Sequence, residues 1–180
     1  MVSADRLHTE EEIPDGFEDP EKDHAPLGNA AAMRWWALSL NALLLGVWLG
    51  GWTLFAFVVA PVAFRTLPSS ADAGKLVGPV LDFLHIYGIA AGIGMSGLAA
   101  FARQSWTRVL LPLVLAGICA ASQFGVTGAI DEIRPAAFGA GSSAEAAARF
   151  SQLHELSRLL YGITGAGLVI LTVIWARRDS

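Results

Sequence analysis

The sequence has little of what soluble enzymes and disulfide-bonded secreted domains depend on. It contains a single cysteine, Cys119, which excludes an intramolecular disulfide. Only 16% of the residues are charged, and the chain has two lysines. No HExxH, CxxC, GxSxG or phosphate-binding glycine loop is present. We therefore expect a non-enzymatic protein with no nucleic-acid partner.

The first 33 residues also lack an apolar run, so they do not resemble a cleavable signal peptide. Nine acidic and two basic side chains fall in this segment, together with prolines and few aromatic residues. A segment of this composition cannot bury enough apolar surface to order itself. Residues 1–33 are predicted to form a disordered acidic tail.

Long charge-free runs dominate the rest of the chain, and 54% of all residues are hydrophobic. Thirty uncharged residues separate Arg34 from Arg65, and 22 more precede Asp131. About 20 apolar residues are enough for a helix to cross the bilayer core. The sequence predicts an all-α domain over residues 34–178, a four-transmembrane-helix bundle with the lipid bilayer as its partner. The spans are expected near residues 35–60, 80–102, 109–130 and 155–176.

Four spans place both termini on one side of the membrane. The short connector 102–108 lies on that side and carries two arginines, which favours cytoplasmic termini. Arginine outnumbers lysine ten to two, and alanine and glycine are abundant, a bias that fits a bacterium with GC-rich codons. The expected location is therefore the bacterial inner membrane. On the side of the membrane that holds the termini, we expect tryptophans to form an aromatic belt at the interface. They are Trp35, Trp36, Trp106 and Trp175.

The fourth span has an unusually long approach, "GSSAEAAARFSQLHELSRLL". Ser142 and Glu145 have the spacing of a capping box, and no glycine or proline interrupts the following residues. The prediction is one helix over residues 143–176, about 50 Å long, which exceeds the thickness of the hydrocarbon core. This places His154 near the interface.

Small residues recur at helical spacing in every span. Such rows let helix backbones approach closely in a membrane, so they favour a compact bundle. Gly46 and Gly50 would also suit an interface with a second copy of the chain or with a partner in a membrane complex. The rows are Gly46 and Gly50, Gly88 and Gly92, Gly117, Ala121 and Gly125, and Gly162 and Ala166.

Most of the unusual polar residues fall at the opposite end of the predicted bundle. Asp82 and His85 are spaced i, i+3 and share a helix face. With His154 they form a candidate metal site. A polar vestibule is predicted around them from Arg65, Asp131, Glu132, Arg134, Glu155, Ser157 and Arg158.

Several interpretations of this end stay open. One interpretation is a vestibule for an ion or small solute. A second is a copper, zinc or iron site, and a third is a b-type haem site with His85 and His154 as axial ligands. Alternatively, the carboxylates neutralise Arg65, Arg134 and Arg158, and the polar residues are a structural collar. A vestibule or a metal site would serve transport or metal handling, and a haem site would serve electron transfer. A structural collar would belong to a structural or assembly subunit of a membrane complex.

Two stretches resemble the transmembrane protein 205-like family, whose members are small four-helix membrane proteins with a domain of unknown function. They are "GVWLGGWTLFAFVVAPVAFRTLPSSADAGKLVGPVLDFLHIYG" and "IRP" followed by "RFSQLHELSRLLYG". The resemblance implies a role in stress resistance. A more remote similarity to copper-resistance membrane proteins of the CopD type implies a metal cargo. The residues at family-motif positions are Pro61, Phe64, Gly74, Pro135, Phe150, His154 and Ser157.

Overall fold

The computed structural model describes residues 27–139 and 141–177, which form four long helices. Each helix is long and apolar enough to cross a membrane, so the predicted all-α, four-span architecture is confirmed. We number them α1 (Leu27–Thr66), α2 (Ser70–Phe101), α3 (Trp106–Phe138) and α4 (Ala144–Ala176).

The helices extend beyond the predicted spans. The first helical residue is Leu27, so residues 27–33, predicted to belong to the acidic tail, are helical. Residues 1–26 lie outside the described residues. The helix α2 begins ten residues before the predicted position 80, because Ser69 caps it by accepting a hydrogen bond from the Asp72 amide at 3.1 Å.

The helix α4 is continuous from Ala144 to Ala176, as predicted. Its N-cap is Ser143, whose hydroxyl accepts a hydrogen bond from the Ala146 amide at 3.1 Å. The predicted capping box was therefore wrong by one residue. With Ser143 as the cap, Glu145 is the second helical residue and is not at the N3 position that a capping box requires.

Two helices contain a π-helical segment, in which backbone hydrogen bonds join residues five apart. The helix α1 consists of Leu27–Leu54, the π segment Phe55–Val59 and Ala60–Thr66. The helix α3 consists of Trp106–Ala120, the π segment Ala121–Thr127 and Gly128–Phe138. These segments change which side chains share a helix face on either side of them.

Close packing in the bundle depends on two of the predicted glycines. A Cβ atom on Gly92 would lie 2.5 Å from the Pro112 carbonyl oxygen, and one on Gly88 would lie 2.8 Å from the Cys119 sulfur. The backbones of α2 and α3 therefore approach each other directly. By contrast, Gly46 and Gly50 have open space around them and do not pack within the chain.

Arg108 joins α3 to α4 at the tryptophan-rich end. Its side chain is buried and donates hydrogen bonds to the carbonyls of Ile174 at 3.1 Å and Arg177 at 2.8 Å. These are carbonyls that the end of a helix leaves without an intrahelical partner. The guanidinium also lies 5.4 Å from the centre of the Trp175 ring, a cation–π distance.

Candidate functional site

The predicted site residues fall into two separate groups. The first, the amide-bridged cluster, consists of Asp82, His85 and Gln123 and joins α2 to α3. The second is a cavity between α1, α2 and α4, the side pocket, whose lining includes His154, Ser157 and Arg158. His85 does not line the side pocket.

Hydrogen bonds fix the geometry of the amide-bridged cluster. The Gln123 side-chain nitrogen donates to a carboxylate oxygen of Asp82 at 3.2 Å, and its oxygen lies 3.3 Å from His85 Nδ1. A carboxylate accepts hydrogen bonds, so the amide presents its NH₂ group to Asp82 and its carbonyl to His85. His85 Nδ1 therefore carries a proton in this arrangement. His85 is only 2% exposed, so its hydrogen bond with Gln123 lies inside the protein.

Gln123 was missed in the sequence analysis. It lies in the charge-free run of the third span and within the π segment Ala121–Thr127. An amide in an apolar span is itself a signal, because such side chains form hydrogen bonds between membrane helices. Helical spacing could not identify its partners, because Asp82 and His85 lie on a different helix.

The side pocket has a volume of about 440 Å³. The helices α1 and α2 supply apolar walls, and α4 supplies the polar wall. The lining residues are Phe55, Ala56, Ala60, Phe64, Val77, Leu81, His154, Ser157, Arg158 and Tyr161.

Tyr161 lines this pocket and contacts α1. Its ring stacks on Trp52 with 3.4 Å between the ring centres and 15° between the planes. Its hydroxyl donates to the Trp52 backbone carbonyl at 2.7 Å. Phe55, the first residue of the π segment in α1, lies 5.5 Å from the same ring. These contacts hold α1 and α4 together beside the cavity.

His154 also lines the pocket, is exposed, and has an aromatic neighbour on its own helix. Its ring is nearly parallel to Phe150 with 6.1 Å between the centres, and Phe150 packs edge-on against Phe138 at 4.7 Å. Both distances fall in the usual range for aromatic pairs. The family-motif positions Phe150 and His154 thus connect the end of α3 to the start of α4, and Ser157 follows on the pocket wall.

The predicted neutralisation of three arginines is found for one of them. Arg134 forms an ion pair with Asp131 at 3.4 Å. Within residues 27–139 and 141–177, neither Arg65 nor Arg158 has a carboxylate in ion-pair distance, although Glu155 precedes Arg158 by three residues. Among the described residues, the polar wall of the side pocket therefore carries an exposed arginine, Arg158, with no carboxylate in ion-pair distance.

The remaining predicted positions lie around these two groups. Arg65 and Glu132 are exposed, and Pro61 is partly buried on α1 beside the pocket-lining Ala60. Gly74 lies in the first turns of α2 with open space around it, and Pro135 lies inside the last segment of α3. Phe64 lines the side pocket.

The structure does not assemble the predicted metal ligands. The described part of the chain has no group of three or more His, Cys, Asp or Glu side chains placed to hold a metal ion. Asp82 and His85 share the Gln123 amide, whereas His154 faces the side pocket. The two histidines predicted as axial haem ligands are divided between the two groups in the same way.

Comparison with known proteins gives one family. The model of a domain of unknown function, DUF4149, matches residues 43–138. This range contains the α1 wall of the side pocket and the whole amide-bridged cluster, whereas α4 lies beyond it. No curated protein and no solved structure matches the chain. The match covers more than half of the residues of the chain. This membrane protein with four candidate spans therefore belongs to the DUF4149 family.

Proposed function

We propose that the protein is a non-enzymatic membrane protein that handles a small amphipathic solute, which it binds in the side pocket as a step in transport or stress resistance. The observation that carries this proposal is a cavity with apolar walls on α1 and α2 and a polar wall on α4. The resemblance to the transmembrane protein 205-like family favours the same class of function.

The size and position of the pocket support a ligand from the membrane surface. Ligand pockets commonly measure about 300–1,000 Å³, and this one is about 440 Å³. A helix of 33 residues such as α4 is about 50 Å long, which exceeds a hydrocarbon core of about 30 Å. The polar end of the bundle therefore extends to the headgroup region, where amphipathic molecules concentrate.

Solute handling is better supported than metal handling or haem binding. A metal site and a haem site both need ligands that converge on one point. His85 belongs to the amide-bridged cluster, whereas His154 lines the side pocket. The side pocket offers one polar wall and several apolar side chains, which suit a molecule with a headgroup and a chain.

Filling the pocket is expected to abolish binding. Ala60→Phe places a ring where the cavity has only a methyl group, and we expect it to lower the retention of dodecyl-chain ligands at least about tenfold. Native mass spectrometry of the detergent-purified protein would measure retention of dodecanoate, dodecyltrimethylammonium and monododecanoylglycerol. Ala42→Phe is the matched control, because Ala42 is exposed on the same helix and outside the pocket. Equal retention by both variants would contradict the proposal.

We further propose a bacterial inner-membrane location with both termini in the cytoplasm. Ser142 and Ser105 are exposed in opposite connectors, and Cys119 is fully buried. In a Cys119→Ala background, an impermeant maleimide added to spheroplasts should label Ser142→Cys and should label Ser105→Cys only after lysis. The reverse labelling pattern would show that the orientation is inverted.

A further inference from the structure

The charge of the pocket ligand can be inferred from Arg158. Two other cations near this end of the bundle pair with a carboxylate three residues earlier on their own helix, Lys75 with Asp72 at 3.2 Å and Arg134 with Asp131 at 3.4 Å. Arg158 has Glu155 at the same spacing and forms no such pair within the described residues. Arg158 is instead one of the residues that line the side pocket.

Arg158 is exposed, so an anion or water at the edge of the hydrocarbon can satisfy its guanidinium. A guanidinium presents a planar fork of donors that matches the oxygens of a carboxylate or a phosphate. Ser157 and His154 line the same wall and add further hydrogen-bonding groups. The polar wall is therefore complementary to an anionic headgroup.

The opposite walls are suited to an alkyl chain. Phe55 and Phe64 of α1 and Val77 and Leu81 of α2 contribute apolar side chains, and the alanines of α1 leave the space between them open. A cavity of about 440 Å³ is at the small end of the range for ligand sites. One chain fits this volume better than the two chains of a diacyl lipid.

We propose that the side pocket binds a single-chain amphiphile with an anionic carboxylate or phosphate headgroup, and that Arg158 contacts that headgroup. The inference rests on the proposed function and names the ligand class of the same site. A free fatty acid and a lysophospholipid share this chemistry, and the experiment separates them.

The test compares retention of four probes by native mass spectrometry. Dodecanoate and dodecyl phosphate are free anionic amphiphiles, dodecanoyl-lysophosphatidylglycerol is a single-chain lipid, and monododecanoylglycerol is the neutral control. We expect the protein to retain at least one anionic probe about tenfold better than the neutral one, as a charge-assisted hydrogen bond would give. The preferred anionic probe identifies whether the source is a free acid, a phosphate or a lysolipid.

Substitutions then assign the preference to Arg158. Arg158→Gln should lower the ratio of anionic to neutral retention to about one, and Arg158→Lys should restore part of that ratio. Arg149→Gln is the matched control, because Arg149 is exposed on the same helix and does not line the pocket. It should behave like the wild type.

Failure of this inference can be distinguished from failure of the proposed function. If the wild type and Arg158→Gln retain anionic and neutral probes equally, and Ala60→Phe abolishes all retention, the pocket binds amphiphiles without charge selection and the inference is overturned. If Ala60→Phe retains every probe as well as the wild type does, both proposals are wrong.

Discussion

Gly92→Ala is expected to lower the free energy of unfolding by about 2 kcal/mol, because overpacking a close contact costs about 1–3 kcal/mol. The added methyl group would lie 2.5 Å from the Pro112 carbonyl oxygen and 2.8 Å from the Ala116 Cβ atom. The first is a backbone atom and the second is a Cβ fixed directly to the backbone, so α2 and α3 must separate. Denaturant unfolding in detergent micelles, followed by circular dichroism, would measure the loss.

Gly97→Ala is the control for this prediction. Gly97 lies on the same helix, is exposed and has nothing within 4 Å of an added Cβ atom. Alanine is the better helix former by about 1 kcal/mol, so this variant should be as stable as the wild type or more stable. Equal stability of the two variants would contradict the close approach of α2 and α3.

Gln123→Leu is expected to cost about 3 kcal/mol of stability. The substitution removes the amide that joins Asp82 to His85 and leaves the buried His85 without its hydrogen bond. A buried group that loses its partner costs about 1–3 kcal/mol, and more when it is charged. The same unfolding measurement would detect the loss. Gln152→Leu removes an exposed amide from α4 and should have little effect.

A double-mutant cycle would assign the cost of Gln123→Leu to the cluster. His85→Phe removes the imidazole that Gln123→Leu leaves without its hydrogen bond, so the double variant His85→Phe, Gln123→Leu should lose less stability than the sum of the single losses. We expect a coupling of about 1 kcal/mol for this hydrogen bond. Strict additivity would mean that the two side chains do not stabilise each other.

The sequence was sufficient to predict the four spans, because the hydrocarbon core requires long uncharged runs. It did not define where the helices begin. Hydropathy reports on the membrane, whereas the first turns of α2 and α4 depend on the Ser69 and Ser143 hydroxyls and lie partly among polar residues. Two adjacent serines, Ser142 and Ser143, are equally plausible caps until the backbone shows which one is extended.

The site was predictable within one helix and not between helices. His154, Ser157 and Arg158 follow one another at helical spacing, and the structure places all three on one pocket wall. The facing residues depend on how α1 and α2 pack against α4, which no spacing encodes. The hydrogen bond of His85 to α3 likewise depends on Gln123, 38 residues away in the chain.

The two π segments have a consequence for comparing this chain with its relatives. A π turn closes its hydrogen-bonded ring with one residue more than an α turn does. Phe55–Val59 and Ala121–Thr127 thus each accommodate a residue that an uninterrupted helix would not need. Relatives with one residue fewer in either segment would keep the flanking helices in the same orientation. Aligned with this chain, such a relative would show a single-residue gap inside a membrane span, beside the pocket-lining Phe55 or beside Gln123.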